Sequence, residues 1–181
     1  MKAILNIDTE ILLFIHEHLA NVFFDFLMPL ITLLAEHGIV PILLCTVLLC
    51  FKRTRKTGAV MSLAVILGFL IGNLTLKPLI ARVRPYDAIS GIQLLIAKQP
   101  DFSFPSGHTL VSFECAMTLV FCRNRFRYLA VILAVLIAFS RLYLFVHYPT
   151  DVLGGAILGT IFAFAAKKCV DCISERVARA K

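Results

Sequence analysis

Three short polar blocks interrupt a chain in which 60% of the residues are hydrophobic and 16% are charged. The first block, KPLIARVRP, covers residues 77–85, the second, PSGH, covers 105–108, and the third, SRLYLFVHYPTD, covers 140–151. The composition lies outside the usual range of soluble domains and is typical of a membrane protein. Ionisable side chains are costly to place in such a chain, so their concentration in these blocks predicts a functional site.

The third block contains a candidate nucleophile. Asp151 follows His147 by four residues, within reach of one imidazole nitrogen, and Pro149 between them suits the first turn of a helix. An aspartate that holds one nitrogen leaves the other as a basic lone pair in a fixed direction, as in serine hydrolases. Arg141 adds a cation six residues before His147. A lone histidine here would more often be a satisfied interface residue, but intramembrane arginine and aspartate favour a function.

The second block has the pattern of a helix start. Ser106 suits the N-cap position, which would leave the backbone N–H groups of Gly107 and His108 without helical partners. Such groups bind phosphate, and a glycine lets an oxyanion approach the backbone closely. Taken alone, an ordinary helix cap is the simpler interpretation, since serine is a common cap residue.

The first block supplies two further cations. Lys77 and Arg84 are seven residues apart, close to two helical turns, so on a helix they would share a face while Arg82 points elsewhere. Pro78 fits best in a first turn, which leaves a break at this point open. Basic residues that anchor a helix end among lipid headgroups are an equally good interpretation of this block alone.

The elements that would position these blocks are apolar runs long enough, or nearly long enough, to cross a membrane as helices. Five such runs cover residues 38–51, 57–76, 104–121, 128–146 and 152–166. A shorter sixth run covers 22–35, and residues 4–19 have the pattern of an amphipathic helix that lies along the membrane interface. The sequence therefore predicts an all-α, polytopic membrane bundle with five or six transmembrane helices and an amphipathic N-terminal helix.

No linker or internal repeat divides the chain, so we expect a single integral membrane domain over 1–181, with N-terminal helices in 1–37 and core helices that carry the site in 38–170. The first 38 residues contain five acidic side chains and no small-residue cleavage site, which argues against a signal peptide.

Basic residues cluster after alternate apolar runs. They are Lys52, Arg53, Arg55 and Lys56 after the first run, Arg123, Arg125 and Arg127 after the third, and Lys167, Lys168, Arg176, Arg179 and Lys181 after the last. Short cytoplasmic loops are enriched in lysine and arginine, so these clusters are expected inside and the three polar blocks together outside. The net charge of +7 is thus explained by topology, and nucleic acid is not an expected partner.

Brought to one membrane face, the three blocks offer three cations, a hydroxyl, a helix N-terminus, two histidines and a carboxylate, a set that suits a phosphoryl group. Their pattern, KxxxxxxRP, PSGH and SRxxxxxHxxxD, resembles the three-part signature of the type 2 phosphatidic acid phosphatase superfamily, with every signature position present. The resemblance implies that His147 attacks phosphorus and becomes a phosphohistidine, that Asp151 orients it, and that His108 protonates the departing oxygen and then activates water.

The resemblance also implies a phosphate-binding set and no metal or other cofactor. The phosphate-binding residues would be Lys77, Arg84, Ser106, Gly107 and Arg141. The mostly cationic surroundings agree with a site without a metal, because a divalent ion requires carboxylates or several neutral imidazoles. Asp87 and Asp101 leave a magnesium site as the less favoured alternative, and Cys169 with Cys172 forms a lone CxxC that is weak evidence for zinc.

The expected substrate is a membrane lipid phosphate that reaches the outer-face site laterally from the bilayer, past a loop at 86–103 that helps to shape its access. By resemblance alone, hydrolysis of undecaprenyl diphosphate to undecaprenyl phosphate is favoured. Phosphatidylglycerophosphate, phosphatidic acid and a lipid A phosphate remain alternatives, and a non-enzymatic lipid-binding or lipid-translocating protein is the less favoured class. Glu114, inside the third run, is expected to be neutral and hydrogen-bonded.

Overall fold

The computed structural model describes residues 2–179, with side chains from Leu5 onward, and all regular elements in that range are helices. They are α1 (Lys2–Leu19), α2 (Val22–Leu33), α3 (Ile39–Cys50), α4 (Arg55–Leu67), α5 (Lys77–Ile80), α6 (Pro85–Ala88), α7 (Gly107–Phe121), α8 (Arg127–Tyr143) and α9 (Pro149–Arg179). A 3₁₀ turn, Glu36–Gly38, precedes α3, and a π-helical segment, Gly68–Leu76, joins α4 to α5. The predicted all-α fold is confirmed.

Helix α7 is the central element, and α9 packs closely along it. Two glycines of α9 allow this approach, because a Cβ on Gly155 would lie 2.8 Å from the Ser106 carbonyl oxygen and one on Gly159 would lie 2.5 Å from that of Leu110. Small residues four apart are a common means of bringing membrane helices into backbone contact. The contact also joins two polar blocks, since the backbone N–H of Ser106 donates to the Asp151 carbonyl at 3.1 Å.

Two helical stretches among the described residues are long and apolar enough to cross a membrane, Val22–Cys50 and Arg55–Ala88. They contain the predicted runs at 22–35 and 57–76 and all but the last residue of the run at 38–51. The other three runs correspond to α7, α8 and α9, of which α7 is apolar but has only 15 residues. Membrane crossing by these three helices stays a prediction. Lys181, the last cation of the predicted C-terminal cluster, lies outside the described residues.

Large apolar side chains cover much of the outer surface of the bundle. Examples from five helices are Phe26, Leu43, Phe69, Leu133 and Phe164. A soluble monomer rarely exposes contiguous apolar surface on this scale, whereas a bundle in contact with lipid must do so. The exposed surface therefore agrees with a membrane location.

Helix α1 packs against the rest of the bundle through part of its predicted apolar face. Leu12 and Ile15 are buried, and Leu12 contacts Phe145 and Tyr148 in the turn between α8 and α9. The neighbouring Ile11 is exposed. The packed face also contains Asp8, which is only 1% exposed. An acidic side chain of α1 is thus buried close to the third polar block.

Candidate active site

The three polar blocks meet at the polar end of one cavity of about 720 Å³. Six of the eight predicted site residues line it, namely Lys77, Arg84, Gly107, His108, Arg141 and His147. The other two, Ser106 and Asp151, are fully buried beside this group. The structure therefore brings together residues that lie up to 74 positions apart in the chain.

Lys77 and Arg84 reach the cavity by a different route from the predicted common helix face. Helix α5 ends at Ile80, and Ala81 has a left-handed backbone with φ 47°. Arg84 is extended, at φ −75° and ψ 153°, as expected of a residue before a proline. A shared helix face was predicted only for the case of one continuous helix, with a break left open, and the helix in fact ends before Ala81; both side chains still line the cavity.

The His147 ring is 1% exposed and has a distinct partner on each nitrogen. Arg84 Nη1 lies 3.3 Å from Nε2, and because a guanidinium can only donate, Nε2 is the accepting nitrogen. The proton of the neutral ring then sits on Nδ1. Burial and the charges of Arg84 and Arg141 lower the pKa of His147 well below its ordinary value. The ring is therefore neutral near pH 7, with a lone pair on Nε2.

The Nδ1 side of His147 faces Asp151, as predicted, but through a less direct contact. Asp151 Oδ2 lies 3.7 Å from Nδ1, beyond hydrogen-bond distance. The Ser103 hydroxyl lies 3.5 Å from the same nitrogen and donates to Asp151 Oδ2 at 2.5 Å. The backbone N–H of Tyr148 donates to that oxygen at 2.8 Å. Ser103, which the sequence analysis did not single out, thus lies between the two predicted partners.

Asp101 occupies the space between two of the site cations. Its carboxylate forms an ion pair with Lys77, accepts from Arg84 Nη2 at 2.5 Å, and its backbone carbonyl accepts from Arg84 Nε at 2.8 Å. Partial burial alone would raise the pKa of the Asp101 carboxyl, but these cations outweigh that effect and lower it below its ordinary value. Asp87 pairs instead with Lys98 at 2.7 Å. The two aspartates weighed as magnesium ligands are therefore engaged separately.

Arg141 presents unpaired donors to the cavity. It is completely buried, and its Nη1 donates to the Thr32 hydroxyl at 2.6 Å. Among the described residues, its Nε and Nη2 have no hydrogen-bond partner. A buried cation with unsatisfied donors is strongly destabilising unless an anion binds there. Arg141 is therefore the strongest geometric indication of an anionic ligand.

The start of α7 differs in one respect from the predicted cap. Ser106 occupies the N-cap position with extended backbone, but its hydroxyl makes no capping hydrogen bond and accepts from Thr109 Oγ1 at 3.0 Å. The N-cap position was predicted correctly, but the expected side-chain hydrogen bond was not, because the Thr109 hydroxyl rather than a backbone N–H group donates to Ser106. Gly107 does open the helix end to the site, since a Cβ there would lie 3.2 Å from Asn73 Oδ1 and 3.7 Å from Lys77 Nζ.

His108 lines the cavity from the first turn of α7. Its Nε2 lies 3.2 Å from Oε2 of Glu36, a residue of the 3₁₀ turn before α3. Glu36 also lines the cavity. The sequence gives no spacing that links a glutamate at 36 to a histidine at 108, so this contact was not predicted.

The remainder of the cavity is apolar and extends away from the cations. Its walls come from α3, α4, the π-helical segment and α7, and include Ile42, Val65, Ile66, Phe69, Leu110 and Val111. Glu114 also lines it, with Oε1 lacking a hydrogen-bond partner among the described residues, so the expected hydrogen bond is not found at that atom. The cavity as a whole suits an amphiphile with an anionic head and an apolar tail.

Comparisons with known proteins agree with this geometry. The family model of the PAP2 superfamily matches residues 57–173. An undecaprenyl-diphosphatase of Sulfolobus acidocaldarius is 37% identical over 65% of this chain and 57% of its own length, so the chain spans little more than half of that relative. A lipid A 4′-phosphatase of Bacteroides thetaiotaomicron is 32% identical over 90% of this chain and 78% of its own.

A solved structure has a similar fold along nearly the whole chain. The transmembrane PAP2-type phosphatidylglycerolphosphate phosphatase from Bacillus subtilis superposes with a TM-score of 0.78, 26% identity, and coverage of 96% of this chain and 89% of the other.

Proposed function

The chain belongs to the PAP2 superfamily, and from that premise and the site geometry we propose that it hydrolyses a membrane lipid phosphate or diphosphate through a phosphohistidine intermediate. One observation carries the proposal. The unpaired donors of Arg141 lie with Lys77 and Arg84 around His147, at the polar end of a cavity whose other walls are mainly apolar. A lipid with a terminal phosphate matches both halves of that cavity.

The substrate phosphate binds between Lys77, Arg84 and Arg141, where it replaces the Asp101 carboxylate and fills the empty hydrogen-bonding positions of Arg141. Cations fixed in advance around the phosphoryl oxygens stabilise the charge of the transition state, which is the main source of catalysis in phosphoryl transfer. Gly107 adds a backbone N–H group at the start of α7.

The nucleophile is Nε2 of His147. Its lone pair forms a bond to phosphorus as the bond from phosphorus to the leaving oxygen breaks, and the Nδ1 proton stays directed at Ser103 and Asp151. His108 gives a proton to the leaving oxygen, then accepts one from water as that water attacks the phosphohistidine and frees phosphate and His147. In this proposal the side chains of the site supply each step, and no step requires a metal.

Undecaprenyl diphosphate is the substrate we favour, because the relative from Sulfolobus acidocaldarius, 37% identical, is an undecaprenyl-diphosphatase. The relative from Bacteroides thetaiotaomicron covers more of the chain and supports a lipid A phosphate as the second candidate. The structural similarity to the enzyme from Bacillus subtilis keeps phosphatidylglycerophosphate as a third. The distribution of basic clusters supports a site on the extracytoplasmic face.

Phosphate release by purified protein in detergent tests the proposal. Undecaprenyl diphosphate, undecaprenyl phosphate, phosphatidylglycerophosphate, phosphatidic acid and lipid A are compared at equal surface concentration, with excess chelator throughout. We expect release from at least one of them, fastest from undecaprenyl diphosphate. A protein that binds these lipids but releases no phosphate from any of them is a lipid-binding or translocating protein, and the proposal fails. Activity that only magnesium restores would contradict the metal-free mechanism.

A further inference from the structure

Arg82 lies two residues before the site cation Arg84, and its side chain reaches the opposite side of His147. Its Nη1 donates to Asp151 Oδ1 at 2.6 Å and to the Thr150 hydroxyl at 2.7 Å. The guanidinium also lies over the Tyr148 ring, 4.1 Å from the centroid. These contacts agree with the predicted direction of Arg82, away from Lys77 and Arg84.

Asp8 of α1 completes the arrangement from the other end of the chain. Its Oδ2 accepts from Arg82 Nη2 at 2.7 Å. The same carboxylate accepts from the Thr150 backbone N–H at 3.0 Å and from the Thr150 hydroxyl at 2.5 Å. Asp8 therefore satisfies a free donor in the first turn of α9 and fixes the second half of the Arg82 guanidinium.

The two oxygens of Asp151 consequently have separate partners. Oδ2 accepts from Ser103 and from the backbone of Tyr148 on the His147 side, while Oδ1 accepts from Arg82 on the far side. Because Oδ1 is bonded to Arg82 while Oδ2 is bonded to Ser103 and Tyr148, rotation of the carboxylate about its Cβ–Cγ bond is restricted. Rotation of Asp151 away from His147 would break the hydrogen bond from Arg82.

The charge of the group also matters. Arg82 and Asp151 alone would form a neutral pair, and the carboxylate would then do little to stabilise positive charge on the imidazole. Asp8 adds a second carboxylate to the same guanidinium at 2.7 Å, so the three groups together carry one net negative charge. Outer partners of this kind commonly orient a catalytic group and set its basicity.

We propose that Arg82 and Asp8 are positioning residues for the phosphoryl transfer, which hold the plane and the charge of Asp151 and thereby the direction of the His147 nucleophile. The inference rests on the proposed function. It gives α1 a role in the reaction, because the helix supplies one of the two carboxylates that hold Arg82 in place.

The test compares kcat and KM for phosphate release from the best lipid of the panel in Arg82→Gln, Arg82→Lys and Asp8→Asn. Arg82→Gln should lower kcat about 10- to 100-fold, the loss typical of an orienting partner, with KM within about threefold. Arg82→Lys keeps the charge but not the fork and should recover part of that loss. Asp8→Asn should lower kcat about 3- to 10-fold, since it leaves the bond between Arg82 and Asp151 in place.

Asp25→Asn is the matched control. Asp25 accepts from the Tyr143 hydroxyl at 2.6 Å in the same N-terminal region, away from Asp151, so its kcat should stay within twofold of wild type. A size-exclusion profile in detergent and a melting temperature for each variant distinguish misfolding from slow chemistry. If Arg82→Gln does not fold, Arg82→Lys and Asp8→Asn carry the test.

A double-mutant cycle distinguishes positioning from a general structural effect. In an Asp151→Asn background Arg82→Gln should change kcat by less than about twofold, because its effect passes through the missing carboxylate. Losses that multiply in the double variant, or wild-type kcat in both Arg82→Gln and Asp8→Asn, would overturn this inference and leave the proposed function intact. A wild-type protein that hydrolyses no lipid on the panel would overturn both.

Discussion

His147 and His108 line the same cavity, but the protein holds His147 far more firmly than His108. The His147 ring is buried in the turn between α8 and α9, with Arg84 at one nitrogen and Ser103 and Asp151 at the other. The residues on both sides of that turn are themselves in the core. Little movement of this ring is possible without disturbing several helices.

The surroundings of His108 are looser. Its side chain has one hydrogen-bond partner among the described residues, Glu36, which belongs to a 3₁₀ turn and is partly exposed. The two residues after Glu36, His37 and Gly38, both have left-handed backbone, with φ 51° and 69°. A short turn of this kind can shift more readily than a packed helix.

The difference matches the separate demands of the two proposed steps. A nucleophile must approach phosphorus along one line, because the phosphate is fixed by the same cations in every substrate. The acid must reach a leaving oxygen whose position depends on what the phosphate is attached to. Firm support for His147 and a single adjustable partner for His108 therefore suit a site that accepts several headgroups.

The largest expected effect comes from removing the firmly held ring. His147→Ala should lower the rate of phosphate release at least about 10⁴-fold, as removal of a covalent nucleophile does in other hydrolases. Phosphate release from the best lipid measures the loss, and binding of that lipid should persist. Acid-labile phosphoprotein in a rapid quench of wild type, absent in the variant, would identify the intermediate; full activity in His147→Ala would assign the nucleophile elsewhere.

Asp151→Asn should be nearly as damaging, at about 10²- to 10⁴-fold in kcat, because an amide can reverse the tautomer that the carboxylate imposes on His147. The measurement is kcat with KM, which should change little. Ser103→Ala is the informative companion. If Ser103 carries the contact between the two residues, this variant should lose part of the activity, and an unchanged kcat would show that Asp151 acts directly on the ring.

The looser ring predicts an effect that depends on the substrate. His108→Ala should lower kcat about 10²- to 10⁴-fold for a lipid monophosphate, whose alkoxide needs a proton, and much less for p-nitrophenyl phosphate, whose leaving group does not. Glu36→Gln should also lower kcat more for the lipid monophosphate than for p-nitrophenyl phosphate, but by less than His108→Ala does. Equal losses for both substrates would mean that His108 binds phosphate rather than donating a proton, and the contrast between the two histidines would disappear.

The smallest expected effect concerns Asp101. Asp101→Asn should tighten inhibition by inorganic phosphate or vanadate several-fold, because a neutral amide competes less well for Lys77 and Arg84. The cations lower the pKa of Asp101, so the wild-type side chain keeps its negative charge at and above the ordinary pKa of an aspartate. That charge is lost only as the pH falls through the lowered pKa. The ratio of the inhibition constants of variant and wild type should therefore stay constant from pH 5 to 8. Equal inhibition constants in the two proteins would show that the anion binds elsewhere.

Residue spacing predicted the core of the site because all eight predicted residues lie at fixed intervals within three blocks. The four-residue interval was enough to place His147 near Asp151, whereas the meeting of Gly107 and Lys77 was predicted from the alternation of basic loops and from the family resemblance. The course of the chain from Lys77 to Arg84 was left open, because spacing gives no sign of the left-handed Ala81 that ends the helix.

The residues that sequence reasoning missed depend on tertiary packing. Ser103 lies in the irregular segment before α7, where no period relates it to the site, and Asp101 of the same segment was considered only as a metal ligand. Glu36 and Asp8 reach it from N-terminal helices whose docking is decided by contacts with α7, α8 and α9. Asp8 was especially hard to foresee, because an acidic residue on an amphipathic helix is ordinarily solvated.

The position of the Asp101 carboxylate has a consequence for the working enzyme. A resting site that already contains its own anion binds dissolved phosphate poorly. Dissolved phosphate must displace the carboxylate through its contacts with the cations alone. A lipid brings the additional free energy of its tail in the apolar part of the cavity. Under the proposed function, the same residue that delays the substrate protects turnover from the accumulated product and reserves the cations for phosphate that arrives from the bilayer.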